Sequence, residues 1–124
     1  MTIAEAIERL DGLSCNQLDT GVKIRWLSEL DGNIYREILQ THVQTAELPF
    51  QGYDGNTAMD TVLLAPPPYD QMYVWYLEMK LFDALGEMTR YNNAAQKFNT
   101  GLLAYGDYVN RTSTPLGQTG LRLV

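Results

Sequence analysis

The side chains best suited to catalysis or metal binding are few and lie far apart in the sequence. The chain has one histidine, His42, and one cysteine, Cys15. They are too few for a zinc site, and Cys15 has no cationic neighbour in the sequence that would activate its thiol. An enzyme would need His42 to meet a carboxylate such as Asp11, Asp19 or Glu47. We therefore expect no catalytic residue, a helix-end position for His42 and a packing role for Cys15.

Three oxygen-bearing side chains, Asp54, Asn56 and Asp60, lie close together in the middle of the chain. Their spacing lacks the alternating ligands and the closing glutamate of a calcium-binding loop. Asp-Gly and Asn are also common turn residues, which explains them without a metal. The glycines form neither a phosphate-binding loop nor a dinucleotide motif. The sequence thus predicts no metal site and no cofactor.

The charge balance bears on partners and on cellular location. Among 124 residues, nine basic and fifteen acidic side chains give a net charge of -6. This charge opposes direct wrapping of DNA, although an acidic surface can line a passage through which DNA slides. A single cysteine excludes an internal disulfide, and no apolar run approaches the ~20 residues of a membrane span. We expect a cytosolic protein that does not cross a membrane.

The first helical pattern begins with a clear start signal. Thr2 and Glu5 have the spacing of a capping box, in which each side chain accepts a hydrogen bond from the other residue's backbone amide. The helix that follows is predicted to end at Asp11 and Gly12. Together with the longer patterns below, it indicates a mainly α fold, a small helical bundle.

A second helix is predicted from an N-cap at Asp19 to about His42. Gly32 marks a bend or a close helix contact near its middle. Its apolar stripe consists of Leu27, Leu30, Ile34 and Ile38. The remaining faces carry the charges of Lys23, Arg25, Glu29, Arg36 and Glu37.

The helical period is lost between the second and third helices. Turn residues in this stretch favour either a short β-hairpin or an irregular loop excursion at 48–64. In the second alternative, the apolar side chains of Phe50 and Tyr53 are predicted to dock on a partner. Pro66 to Tyr69 then matches the PPxY peptide that WW domains bind, but its place just before a helix favours a structural role.

A long C-terminal helical hairpin completes the pattern. Asp70 is a candidate N-cap for a helix to about Leu85, Gly86 is its stop, and the last helix runs from about Glu87 to Thr112. One face of the first helix carries Tyr73, Leu77, Leu81 and Ala84. The predicted heptad seam of the second contains Tyr91, Ala95, Phe98, Leu102, Tyr105 and Val109. We expect a single helical domain at 1–112 and a flexible tail at 113–124.

Two surfaces of this hairpin are candidates for protein contacts. Trp75 and Met79 lie on a second apolar face of its first helix, and a helix that is apolar on two faces usually has two neighbours. The second helix carries uncharged amides where Lys and Glu are commoner on solvated faces. Such amides can bind another chain without desolvation of a full charge. The amide residues concerned are Asn92, Asn93, Gln96 and Asn99.

The order of these signals resembles that of small head-tail connector, or adaptor, proteins of tailed phages and prophages. The resemblance covers less than half of the chain. It rests on Leu63, Leu64, Pro68, Tyr69, Asp70, Tyr73, Tyr76, Leu77, Gly86, Glu87, Arg90, Tyr91, Asn92 and Asn93. No catalytic signature defines these proteins, so none is carried over.

The resemblance implies a virion structural protein at the head-tail junction, present in the bacterial cytoplasm before assembly. Its subunits are expected to form a homo-oligomeric ring under the portal protein and to bind tail or stopper proteins, with DNA only as passing cargo. The segment at 48–64 and the tail would then be contact arms. The alternative hypothesis is a non-enzymatic adaptor or regulatory module that binds another protein through the same helical hairpin.

Overall fold

The computed structural model describes residues 1–42 and 49–113 and is mainly helical, as predicted. The helices are α1 (Ile3–Leu13), α2 (Thr20–Ile34), α3 (Gln71–Leu85) and α4 (Met88–Thr112). A π-helical turn, Tyr35–Leu39, follows α2 directly. Within the described ranges no strand forms, and Thr2 and Val62 form an isolated antiparallel bridge.

Helix α1 begins with the predicted capping box. The Glu5 amide donates to Thr2 Oγ1 at 3.1 Å, and the Thr2 amide donates to the Glu5 carboxylate at 3.0 Å. Hydrogen bonding of the Glu5 carboxylate to Thr2, above all to its backbone amide, lowers the pKa of Glu5. The helix buries Ile3, Ile7 and Leu10 on one side.

The predicted C-terminal end of the second helix, at about His42, is wrong. Helix α2 stops at Ile34, and the π-helical turn that follows has a hydrogen bond from the Gln40 amide to the Tyr35 carbonyl at 2.8 Å. A π-turn contains one more residue than an α-turn, so the apolar face shifts by one position. Leu39 is consequently buried, whereas Ile38, expected in the apolar stripe, is only partly buried.

Helix α3 is the central element of the bundle. It contacts α1, α2 and α4, which agrees with its two apolar faces. Tyr73, Leu77 and Leu81 are completely buried, as the first predicted face requires, but Ala84 of that face is exposed. On the second face, Trp75 and Met79 are half-buried at the edge of the core.

Helices α3 and α4 form the predicted antiparallel hairpin. Gly86 ends α3 in the left-handed conformation with φ of 73°, which glycine adopts without strain. The predicted heptad seam is only partly right, because a straight helix drifts from a strict heptad repeat. Phe98, Tyr105 and Val109 are buried as expected, but Ala94 is buried in place of the half-buried Ala95.

The segment between the π-turn and α3 is an irregular excursion and not a β-hairpin in its described part, 49–64. Its carbonyl groups bond to α1 and not to a second strand. The amides of Ile3 and Ala4 donate to the carbonyls of Thr61 and Met59, each at 3.0 Å. The excursion therefore caps the N-terminus of α1, whose first amides have no partner within the helix.

Two predicted features extend beyond the described residues. Ser113 follows the last residue of α4, and its backbone amide donates a hydrogen bond to the Val109 carbonyl at 2.8 Å. The rest of the predicted tail, 114–124, and Leu48 at the start of the excursion lie outside the described ranges.

Candidate interaction site

A buried carboxylate lies at the centre of the fold. Asp31 has no exposed surface and accepts hydrogen bonds from the hydroxyls of Tyr53 and Tyr73 at 2.5 and 2.6 Å. The amide of Leu64 donates to the same carboxylate at 3.1 Å, and the Tyr73 hydroxyl accepts from the amide of Ala65 at 2.7 Å. The cluster thus ties the end of the excursion to helices α2 and α3.

The electrostatics of this cluster follow from its burial. Burial raises the pKa of Asp31, and the hydrogen bonds from Tyr53, Tyr73 and Leu64 act in the opposite direction. Burial, followed by the nearby Asp31 carboxylate, also raises the pKa of both tyrosines. Their hydroxyls therefore remain protonated donors at neutral pH. Because every polar atom described here has a partner, the cluster is a structural clasp between elements.

Sequence reasoning missed this cluster, although a signal was present. Asp31 lies four residues after Leu27 and three before Ile34, which places it on the apolar face of α2. An acidic residue on such a face indicates a buried partnered carboxylate. Lys23 was likewise expected on the polar face, but it is 3% exposed, with its ammonium group 2.7 Å from Asp11.

His42 lies at the end of the turn after the π-helix, near the predicted helix end, and is buried. Its Nδ1 is 2.6 Å from the carbonyl of Ile38 and 3.1 Å from the hydroxyl of Thr41, and its Nε2 is 2.7 Å from Asn110 Oδ1. The ring therefore links the end of the π-helical segment to α4. Asp11 is paired with Lys23 instead, and Glu47 lies outside the described residues.

Phe50 and Tyr53, two predicted contact residues, make close contacts within the chain. The Phe50 ring centroid is 5.6 Å from that of Tyr35 and 5.3 Å from that of Tyr53. The Tyr53 amide also donates to Ser28 Oγ at 3.0 Å. These intramolecular contacts account for both aromatic side chains without a partner.

An open groove lies between α3 and α4 on the outer side of the hairpin. The outer groove has a volume of about 330 Å³ and is lined by Trp75, Asn93, Gln96, Lys97 and Thr100. Three of these residues, Trp75, Asn93 and Gln96, were predicted from the sequence as contact residues. Lys97 and Thr100 were not predicted. Lys97 lies one helical turn after Asn93, so its position among the amide residues could have indicated that it belongs to the same surface.

A glycine on α4 sets the position of the tryptophan ring. A Cβ atom added to Gly101 would lie 3.1 Å from Trp75 Cζ3 and 3.2 Å from Met72 Cβ. Such distances are shorter than ordinary van der Waals contact. Glycine at position 101 therefore lets the indole lie directly against α4, where it forms the apolar wall of the outer groove.

The amide side chains along α4 point into solvent. Asn92, Asn93, Gln96 and Asn99 are exposed, and none of these side chains forms a hydrogen bond to another residue within 1–42 or 49–113. Met79, by contrast, packs at the edge of the core and does not line the outer groove. The exposed amides are thus free to bind water or another molecule.

A second, smaller groove adjoins the outer groove and shares Asn93 and Lys97 with it. Its volume is about 250 Å³, and Leu13 and Phe82 contribute apolar walls. Glu78 lies at this groove, where burial raises its pKa and the positive charge of Lys97 opposes that shift. Among the described residues, Lys97 has no carboxylate within 4 Å. Lys97 thus lies between the two grooves without a close ion pair in the described ranges, and it acts on Glu78 only over a longer distance.

Comparison with protein-family models, with curated proteins and with solved structures finds no match. In the part of the chain that the structure describes, no three His, Cys, Asp or Glu side chains are grouped closely enough to bind a metal ion. No helix within those ranges has the length and apolar character needed to cross a membrane. The arrangement is suited to protein contacts through uncharged hydrogen-bonding groups next to an aromatic wall.

Proposed function

We propose that the chain is a structural subunit of a phage or prophage virion, a head-tail connector protein without enzymatic activity. In this proposal, its copies assemble into a ring under the portal protein and link the portal to tail or stopper proteins. The subunit is present in the bacterial cytoplasm before assembly and at the head-tail junction of the virion afterwards. DNA passes through the ring without specific binding.

The observation that carries the proposal is the exposed polar surface beside Trp75. Asn92, Asn93, Gln96 and Asn99 have exposed side chains with no hydrogen bond to another described residue. Amides can be desolvated in an interface at a lower cost than charged groups, and aromatic side chains are enriched at interface centres. A solvated surface would gain more helix stability and solubility from Lys and Glu.

The residues that resemble connector proteins fall into two groups in the fold. Tyr73 and Leu64 hold the clasp around Asp31, and Leu77 is buried in the core. Arg90, Asn92 and Asn93 are exposed on α4. The resemblance therefore involves both core and surface positions, which a shared fold and a shared mode of assembly would require. The net charge of -6 also disfavours adhesion of DNA.

The proposal is tested by co-expression with a portal protein encoded in the same genome as this chain. We expect the chain to co-sediment with portal rings, and electron microscopy should show additional density under the portal. Variants with Asn93→Ala and Gln96→Ala should bind less, while Glu8→Ala on the exposed side of α1 serves as a matched control. A wild-type chain that stays monomeric at high concentration and does not bind portal rings contradicts the proposal.

The second candidate is an adaptor or regulatory module that binds a non-virion protein through the same surface. The apolar lining of the outer groove by Trp75 favours it equally, because helix-in-groove recognition uses such a wall. Isolation of a stable complex with a cellular protein, weakened by Gln96→Ala, would support this candidate. Portal and capsid genes beside this gene would favour the virion protein instead.

A further inference from the structure

Opposite charges are separated along the surface of this acidic chain. Residues 88–106 of α4 contain Arg90 and Lys97 and no carboxylate. Residues 49–64 contain Asp54 and Asp60 and no basic side chain. No hydrogen bond, ion pair or ring contact joins 54–62 to 88–106 within the chain. The two surfaces are therefore complementary in charge but do not satisfy each other in the monomer.

The exposed side of the excursion combines charge with apolar side chains. Asp60 is exposed and has no hydrogen-bond partner among the described side chains. On either side of it, Met59 is 38% exposed and Val62 is 66% exposed. An acidic group between two apolar side chains matches the outer groove, where Lys97 lies beside the wall formed by Trp75.

The excursion is also held in one conformation before any contact forms. The carbonyls of Met59 and Thr61 accept hydrogen bonds from the first amides of α1. Within the preceding turn, the Asp54 carboxylate accepts from the Asn56 amide at 2.8 Å, and the Thr57 hydroxyl accepts from the Asp54 amide at 2.8 Å. A preorganised segment loses little conformational entropy on binding, which favours association.

We propose that the excursion of one copy, residues 54–62, docks into the outer groove of a second copy. Asp60 pairs with Lys97, and Met59 or Val62 contacts Trp75. Asn93 and Gln96 hydrogen-bond to the docked segment. Because the two surfaces belong to different parts of the chain, the same contact can repeat from copy to copy around a ring. The inference rests on the proposed function and names the contact through which its ring forms.

The test compares self-association of charge-reversal variants by sedimentation. Lys97→Glu and Asp60→Lys each place like charges opposite one another, and each should raise the dissociation constant by about tenfold or more. Arg25→Glu and Glu8→Lys are the matched controls, since they make the same changes in net charge at exposed positions of α2 and α1. The controls should change the dissociation constant less than about threefold.

The combined variant Lys97→Glu with Asp60→Lys distinguishes a direct pair from a general charge effect. It reverses both members of the pair, so it should recover most of the wild-type affinity. Asp60→Asn and Lys97→Gln are milder variants that keep side-chain size, and each should weaken association at low salt more than at high salt. Circular dichroism confirms the fold of each variant.

Each outcome separates this inference from the proposed function. Self-association that is insensitive to Lys97→Glu and Asp60→Lys overturns the contact and leaves a ring through another surface open. Recovery in the combined variant, with a mass that stops at a dimer, supports the contact and contradicts the ring. A wild-type chain that is monomeric at every concentration overturns the contact; binding to portal rings alone would then still support the proposed function.

Discussion

Two polar regions of the molecule differ in whether their hydrogen-bonding groups have partners within the chain. Around Asp31, every hydrogen-bonding group has a partner within the chain, and the carboxylate has no exposed surface. In the outer groove, Asn93 and Gln96 have exposed side chains without such a partner, and Lys97 has no carboxylate within 4 Å among the described residues. The first region therefore determines stability, and the second is available for binding.

This difference follows from the cost of desolvation. A buried polar group without a hydrogen bond costs about 1 to 3 kcal/mol, so an interior cluster has to be complete in the monomer. An exposed amide bonds to water at no such cost and can exchange that water for a partner. Substitutions in the two regions should consequently affect different measurements.

The largest effect on stability is expected for Asp31→Ala. It removes the acceptor for Tyr53, Tyr73 and Leu64, and it leaves a cavity beside them. We expect the free energy of unfolding to fall by about 3 to 5 kcal/mol, measured by urea denaturation. Arg25→Ala, on an exposed part of the same helix, should change it by less than about 0.5 kcal/mol. An equal effect of both substitutions would refute the clasp.

A pair of glycines on α4 separates packing at the groove wall from helix propensity. Gly101→Ala brings a methyl group against Trp75 and Met72, so we expect a loss of about 1 kcal/mol after the gain in propensity is included. Gly106→Ala meets nothing within 4 Å and should stabilise by up to about 1 kcal/mol. Thermal or urea unfolding measures both. A stabilising Gly101→Ala would contradict the close contact of Trp75 with α4.

The dependence of stability on pH should distinguish the two regions as well. Burial raises the pKa of Asp31 above its ordinary value of 3.8. A carboxyl group whose pKa is raised in the folded state stabilises the fold at pH values below its ordinary pKa. This stabilisation is lost as the pH rises through the folded-state pKa. The stability difference between wild type and Asp31→Asn should therefore fall as the pH rises from 3.8. The stability difference between wild type and Asn93→Ala should not change with pH. A pH-independent difference for Asp31→Asn would refute the raised pKa of Asp31.

The smallest effect on monomer stability is expected in the outer groove. The double variant Asn93→Ala with Gln96→Ala removes two exposed amides that have no hydrogen bond within the described chain. We expect the free energy of unfolding to change by less than about 0.5 kcal/mol, while self-association weakens. A loss of stability comparable with that of Asp31→Ala would show that these amides serve the fold instead.

The sequence predicted the helices better than it predicted their polar interior. The capping box at Thr2 and the stop at Gly86 are local signals, and both were read correctly. The π-helical turn after Ile34 was missed, because one added residue in a turn leaves no periodic trace in so short a segment. The clasp of Asp31 depends on Tyr53 and Tyr73, which lie 22 and 42 residues away, so spacing alone could not pair them.

Of the candidate site, the sequence predicted the outer surface in part. Trp75, Asn93 and Gln96 meet in one groove, since i and i+3 positions on a helix share a face. Phe50 and Tyr53 were predicted as contact residues of the excursion, but they contact Tyr35 and Asp31 and do not line this groove. Which exposed side chains fall next to one another across two helices depends on how the helices pack, and that required the fold.

The most direct test of the central claim is sedimentation velocity of the wild-type chain over a wide concentration range, beside the variant Asn93→Ala with Gln96→Ala. We expect the wild type to form a closed oligomer larger than a dimer. The variant should need a several-fold higher concentration to form it. An unchanged monomer across the whole range, or an oligomer indifferent to the loss of both amides, would contradict the assignment of this surface to assembly.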